Sequence, residues 1–139
     1  MQSINESERQ LTPKQHFNFK NKPKGILRIS MALKNSLRAL MWLIKNESAF
    51  KQELLLAIIA VPLLSIWSIP LIEKAILASS LLFVLFAEVV NTAIEATVDR
   101  IGTELHSLSG LAKDLGSAAV LIAIALASVL WLAVLFKHI

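Results

Sequence analysis

The chain has 139 residues, 55% of them hydrophobic, with a mean hydropathy of +0.64, which fits one domain and is too apolar for a disordered chain or an ordinary small soluble domain. It has no Cys and four Gly, none in a GxxxxGK or GxGxxG pattern, which excludes disulfide frameworks, thiolate metal sites, the P-loop and the dinucleotide fingerprint. The net charge of +4 is unevenly spread: residues 1–51 carry ten Lys or Arg against three Glu, and residues 52–139 carry four against seven acids. No zinc finger, stacking platform or DNA-binding helix pair accompanies the basic residues, so nucleic acid is not an expected partner. Basic residues directly before apolar spans instead match the positive-inside rule and attraction to anionic headgroups.

In chain order, residues 1–23 are polar, contain two Pro and lack the apolar core of a secretory signal peptide, so they read as a disordered cytoplasmic tail. Residues 24–139 read as a single membrane domain. From about 26 to 46, Ile26, Ile29, Leu33, Leu37, Leu40, Met41 and Ile44 recur at helical spacing, with Lys34, Arg38 and Lys45 on another arc. The pattern predicts an amphipathic helix lying in the headgroup layer, with Trp42 as an interfacial anchor.

Three apolar spans are predicted next, at about 50–70, 74–101 and 114–136, each long enough as a helix to cross about 30 Å of hydrocarbon. Pro62 is placed to kink the first, and Ser68 to Lys74 reads as a turn. With the basic N-terminal region inside, the polar 102–114 connection is cytoplasmic, and Lys137 and His138 lie outside.

The second span carries Glu88, Asn91, Glu95 and Asp99, which at 100° per residue share an arc of roughly 80°. Such a face cannot point at lipid and is a functional candidate. Polar glue between helices would need only Asn91, not three acids in register. Carboxylates with an amide between them suit a hard cation such as Mg²⁺, and proton or sodium transport would also use them. Glu47 and Glu53 before the first span, and Glu104, His106, Lys113 and Asp114 after the second, can converge on the same surface. Singly, Glu53 or His106 reads as a solvated boundary residue, and Lys113-Asp114 reads also as a helix start. Three spans and a surface helix cannot enclose an acidic face alone, so a cyclic homo-oligomer is expected, with Gly116, Ser117, Ala118 and Ala119 permitting close helix approach.

The run Glu88-Val-Val-Asn91-Thr-Ala-Ile-Glu95-Ala-Thr-Val-Asp99, continuing through Glu104, His106, Gly110, Lys113, Asp114 and Gly116, resembles the signature of the prokaryotic diacylglycerol kinases. The likeness extends upstream through Asn46-Glu47-Ser-Ala-Phe50-Lys-Gln-Glu53, and the order of elements agrees from about Lys24 to Phe136. The resemblance implies an all-α membrane protein, a homotrimeric helical bundle of the bacterial inner membrane with sites shared between chains. Its activity would be transfer of the γ-phosphoryl group of ATP, with Mg²⁺, to the free hydroxyl of diacylglycerol. Carried onto matching positions, Glu88 is the general base with Asn91 beside it, and Glu47 and Glu95 hold metal and ATP phosphates. Asp99, Glu104, His106, Lys113 and Asp114 complete the nucleotide site together with Arg28 and Asn35. Ser36, Glu53, Glu88 and Ser117 meet the lipid. The chain departs from the family at Asn35 and Leu105, often aromatic there, and at Ala39, often Gly; these departures bear on the details of adenine contact, not on the chemistry. Undecaprenol kinases share the acid spacing and are the alternative for the lipid acceptor. A cation- or proton-conducting oligomer is the non-enzyme alternative, and it would not need Lys113 or the connecting residues.

Overall fold

The computed structural model describes residues 25–102, 104 and 106–139; the expected 1–23 tail and Leu105 lie outside them. The chain divides into two compact units, Met1–Arg38 and Ala39–Ile139. The described residues form four helices in chain order, α1 (Ile26–Asn46), α2 (Ser48–Ile66), α3 (Leu71–Ile101) and α4 (Ser107–Lys137), and contain no strand. The last three are long and apolar enough to cross a membrane, with mean hydropathies of 1.8, 1.9 and 2.8 over their most apolar windows.

In the first unit, α1 begins after Gly25, whose φ of 63° lies in the left-handed region open to glycine, and the Gly25 carbonyl accepts from the Arg28 amide at 3.1 Å. Arg28, Asn35 and Ser36 are exposed there, and Asn35 Oδ1 accepts from Arg38 Nη2 at 3.3 Å.

In the second unit, one non-helical residue, Glu47, separates α1 from α2. Its backbone is extended (φ −98°, ψ 117°), yet its amide still reaches the Leu43 carbonyl at 2.8 Å and its carbonyl receives the Lys51 amide at 3.3 Å. α2 passes through Pro62 unbroken and ends at Ile66. The link to α3 is therefore Trp67 to Pro70, and Glu73 and Lys74, expected in the turn, already stand in α3 with their amides on the Pro70 carbonyl.

The fourth helix starts seven residues before the expected 114. Its first turn is capped by His106, whose Nδ1 accepts from the Leu108 amide at 3.2 Å, and Gly110 continues the helix by donating to the His106 carbonyl. The connection shrinks to Gly102–His106, and Lys113 and Asp114 become helical, so Asp114 does not stabilise a helix start.

α3 and α4 run antiparallel, since ion pairs join Asp99 to Lys113 near one end and Glu73 to Lys137 and His138 at the other. Small side chains bring them close at Val84, Ala87, Ala123 and Ala127. A second cluster, Leu64, Ile69 and Leu77 with Trp67 and Trp131 against it, fastens α2 and the turn to the pair; Leu77 is wholly buried.

The outer cluster predicts its own test. Glu73 accepts from Lys137 Nζ at 2.5 Å and meets His138 Nε2 at 2.6 Å, while the His138 ring stands edge-on to Trp67 at 6.3 Å. Glu73→Gln should speed amide hydrogen exchange over residues 135–139 and lower the melting temperature modestly. Exchange followed by mass spectrometry in detergent micelles would detect it, and unchanged exchange would mean that the cluster does not hold the end of α4.

Candidate functional site

The polar stripe of α3 is graded in burial. Glu88 and Asn91 are buried, 5% and 9% exposed, Glu95 is half-buried, and Asp99 is exposed. The helical repeat places all four on one face, and packing of α2 and α4 against the inner part of that face makes the gradient. The Glu88 carbonyl is bonded twice over, within the helix and by Thr92 Oγ1 at 3.0 Å. Asn91 Nδ2 donates to Glu95 Oε1 at 3.1 Å, which ties the two middle members of the stripe together.

Other elements bring further charges to this face. Glu47, set by the break between α1 and α2, makes no side-chain capping bond to its own helix, so its carboxylate remains available. Glu47 and Glu95 both lie within electrostatic reach of Glu88, as does Glu53 from α2. Lys113, in the second turn of α4, pairs with Asp99 at 2.6 Å and also lies within reach of Glu95. Among the described residues, the fold thus gathers Glu47, Glu53, Glu88, Glu95 and Asp99, with Lys113 beside the last two. A set so acidic repels a polyphosphate unless a cation accompanies it.

The donor chemistry fits a hard cation, since all the nearby side-chain ligands are oxygens. Among the described residues no three His, Asp or Glu side chains form a group able to hold a metal by themselves.

Beside the acids, an open groove of about 360 Å³ runs between α2, α3 and α4, lined by Glu53, Leu56, Leu81, Ile124 and Trp131 among others. Its walls are mostly apolar; of its polar lining residues, Ser128 donates to the Ile124 carbonyl, whereas Glu53 Oε2 and Trp131 Nε1 are buried with no hydrogen-bond partner among the described residues. A buried unpaired donor or acceptor is costly, so both atoms are candidates for a further contact.

Of the residues read from the sequence, the fold gathers Glu47, Glu53, Glu88, Asn91, Glu95, Asp99 and Lys113. Glu104 and His106 are exposed and border a separate cleft with Gly102 and Ser109. Asp114 and Ser117 are exposed on α4, and Arg28, Asn35 and Ser36 belong to the first unit. Sequence reasoning did not single out Trp131; its signal was a lone indole inside an uninterrupted apolar span, where the N–H must find an acceptor. Gly116, expected to permit close helix approach, admits Asn91 of its own chain.

The description "Prokaryotic diacylglycerol kinase" matches residues 34–135. The chain is 44% identical over 118 residues to a diacylglycerol kinase of Escherichia coli (strain K12), covering 85% of this chain and 97% of that protein. It is 44% identical over 115 residues to that of Haemophilus influenzae, covering 83% and 98%. Over 110 residues it is 36% identical to that of Helicobacter pylori (strain 26695), covering 79% and 86%.

The Asp99–Lys113 pair is 60% and 40% exposed, so solvent screens it and the fold should hardly depend on it. Asp99→Asn and Lys113→Met should leave the melting temperature in micelles nearly unchanged. A large drop in both would make the pair a structural tie and remove it from the site.

Proposed function

The chain belongs to the prokaryotic diacylglycerol kinase family, and on that footing we propose that it phosphorylates diacylglycerol at the cytoplasmic face of the bacterial inner membrane, using ATP and Mg²⁺. The observation that carries the reading is the burial gradient of α3. A carboxylate buried beside an apolar groove continues, along one helix face, into acids and a lysine near water. A lipid hydroxyl and a nucleotide triphosphate have to meet at such a boundary, because one substrate comes from hydrocarbon and the other from water.

The groove beside Glu53 takes acyl chain, and its acidic end brings the headgroup toward Glu88. Glu88 accepts the proton of the free hydroxyl as that oxygen bonds to the γ-phosphorus, the bond to the β-γ bridging oxygen breaks, and ADP leaves. Little more than positioning, charge neutralisation and a base is needed for phosphoryl transfer. Glu47 and Glu95 would hold Mg²⁺, which when bound offsets the charge of the phosphate chain. Lys113 contributes the protein's own positive charge on that side, oriented by Asp99. Asn91 fixes the Glu95 carboxylate. Glu104, His106 and Asp114 receive the rest of the nucleotide, and Ser117 meets the lipid; the nucleotide roles of Arg28 and Asn35 and the lipid role of Ser36 rest on the family resemblance alone.

The +7 balance of residues 1–51 supports a cytoplasmic N-terminus and, across three spans, a C-terminus outside. A homotrimer is the assembly proposed. The half-buried Glu47 and the unpaired Glu53 and Trp131 atoms support a site completed by a neighbouring chain.

Two experiments test this reading. Purified protein in lipid, given labelled ATP and either diacylglycerol or undecaprenol, should label diacylglycerol; label on undecaprenol alone would change the acceptor. In the same assay Glu88→Gln, which keeps size but not basicity, should lower turnover by about 10²-fold or more with MgATP affinity little changed. Near-normal turnover would end the general-base assignment.

The second experiment mixes subunits. Glu88→Gln and Asp114→Asn chains, each inactive alone, should recover part of the activity when co-reconstituted, because mixed trimers contain some sites with both side chains intact. No recovery at any mixing ratio would confine each site to one chain.

A further inference from the structure

α4 meets the polar stripe at Gly116, which is buried. A Cβ there would run into Asn91 Oδ1 and stand 3.4 Å from Asn91 Cγ. The other end of the same amide, Nδ2, donates to Glu95 Oε1. A carboxylate only accepts, so the nitrogen faces Glu95 and the oxygen must face Gly116. Oδ1 is buried, and no N–H or O–H donor among the described residues reaches it. What lies against it is the Cα of Gly116, whose C–H is a weak donor of the kind found where membrane helices cross closely. The amide is thus held on both sides, by a carboxylate and by a surface without a side chain.

We propose that Gly116 is a positioning residue: its bare Cα sets the plane of the Asn91 amide, and that amide holds the Glu95 carboxylate in the one orientation in which it serves Mg²⁺-nucleotide. The inference rests on the reading of Glu95 as a metal-nucleotide ligand. Any side chain at 116 displaces Oδ1, turns or expels the amide, and frees Glu95 to sample other rotamers near a half-exposed surface. Helix propensity works in the opposite direction, since Ala is a better helix former than Gly. Loss of function on adding a methyl group cannot then come from a weakened α4.

The test is a double-mutant cycle on the full-length protein in lipid, read by the KM for MgATP, by kcat and by binding of a non-hydrolysable MgATP analogue. Gly116→Ala should raise the KM and weaken analogue binding about tenfold, the scale of one hydrogen bond to a charged group, with kcat changed much less. Asn91→Ala should weaken analogue binding similarly, and adding Gly116→Ala to it should cost nothing further, because the atom with which the methyl group collides is gone. An equal further loss in the double variant would overturn the inference, as would unaltered analogue binding in Gly116→Ala. If Gly116→Ala alone does not assemble, Asn91→Ala/Gly116→Ala should assemble, and its failure to do so would also overturn the inference. Glu95→Gln separates the two readings: weakened analogue binding there with none in Gly116→Ala defeats the positioning role alone, whereas unaltered binding in Glu95→Gln defeats the ligand reading on which it rests.

Discussion

A carboxylate inside a membrane helix cannot face hydrocarbon, and this constraint on Glu88 organises the rest of the bundle. It requires α3 to be covered on its acidic face by other helices. The sequence supplies covering surfaces that can come close, with Ala87 on α3 and Ala123 and Ala127 on α4. Between lipid-exposed helices there is no hydrophobic drive to associate, so the gain must come from close packing and polar contacts. That close packing fixes the register, and ion pairs lie near both ends, Asp99 with Lys113 and Glu73 with Lys137 and His138. With register fixed, Asn91 meets Gly116, and Glu95 is held.

Much of this was legible in the sequence because membrane helices announce themselves by length and composition, and because helical periodicity puts Glu88, Asn91, Glu95 and Asp99 on one face whatever surrounds them. The bounds of α1 follow equally from its repeat of Ile and Leu. The start of α4 was hidden by Ser107, Ser109 and Gly110, which look like loop residues; a cap from His106 and the apolar Leu108 and Leu111 let the helix form through them. Contacts between elements were beyond periodicity altogether. Nothing in the spacing of Glu53 and Trp131 says that they line one groove, and the same holds for Gly116 and Asn91. The relation of Glu73 to Lys137 and His138 spans most of the membrane domain and became visible only when α3 and α4 were paired.

Glu47 shows how little backbone is needed to present a carboxylate at a helix junction. Helical hydrogen bonds continue into and out of it, so the break between α1 and α2 is a single extended residue. A longer loop would leave its carboxylate free to wander, at the entropic cost of ordering it again when a ligand arrives. Here it is presented from a rigid corner, while the opposing acids come from α2 and from a helix core.

The three spans differ in length: 19 residues in α2 against 31 in each of α3 and α4, or about 28 Å against about 46 Å at the helical rise. α2 therefore just matches an average bilayer and has no reserve, whereas its longer companions can tilt or project into water. Because Glu53 belongs to α2 and Glu88 to α3, a thicker or thinner bilayer acts on the two acids unequally, drawing one relative to the other along the membrane normal. Hydrophobic mismatch thus bears first on the shortest helix, the one that carries Glu53.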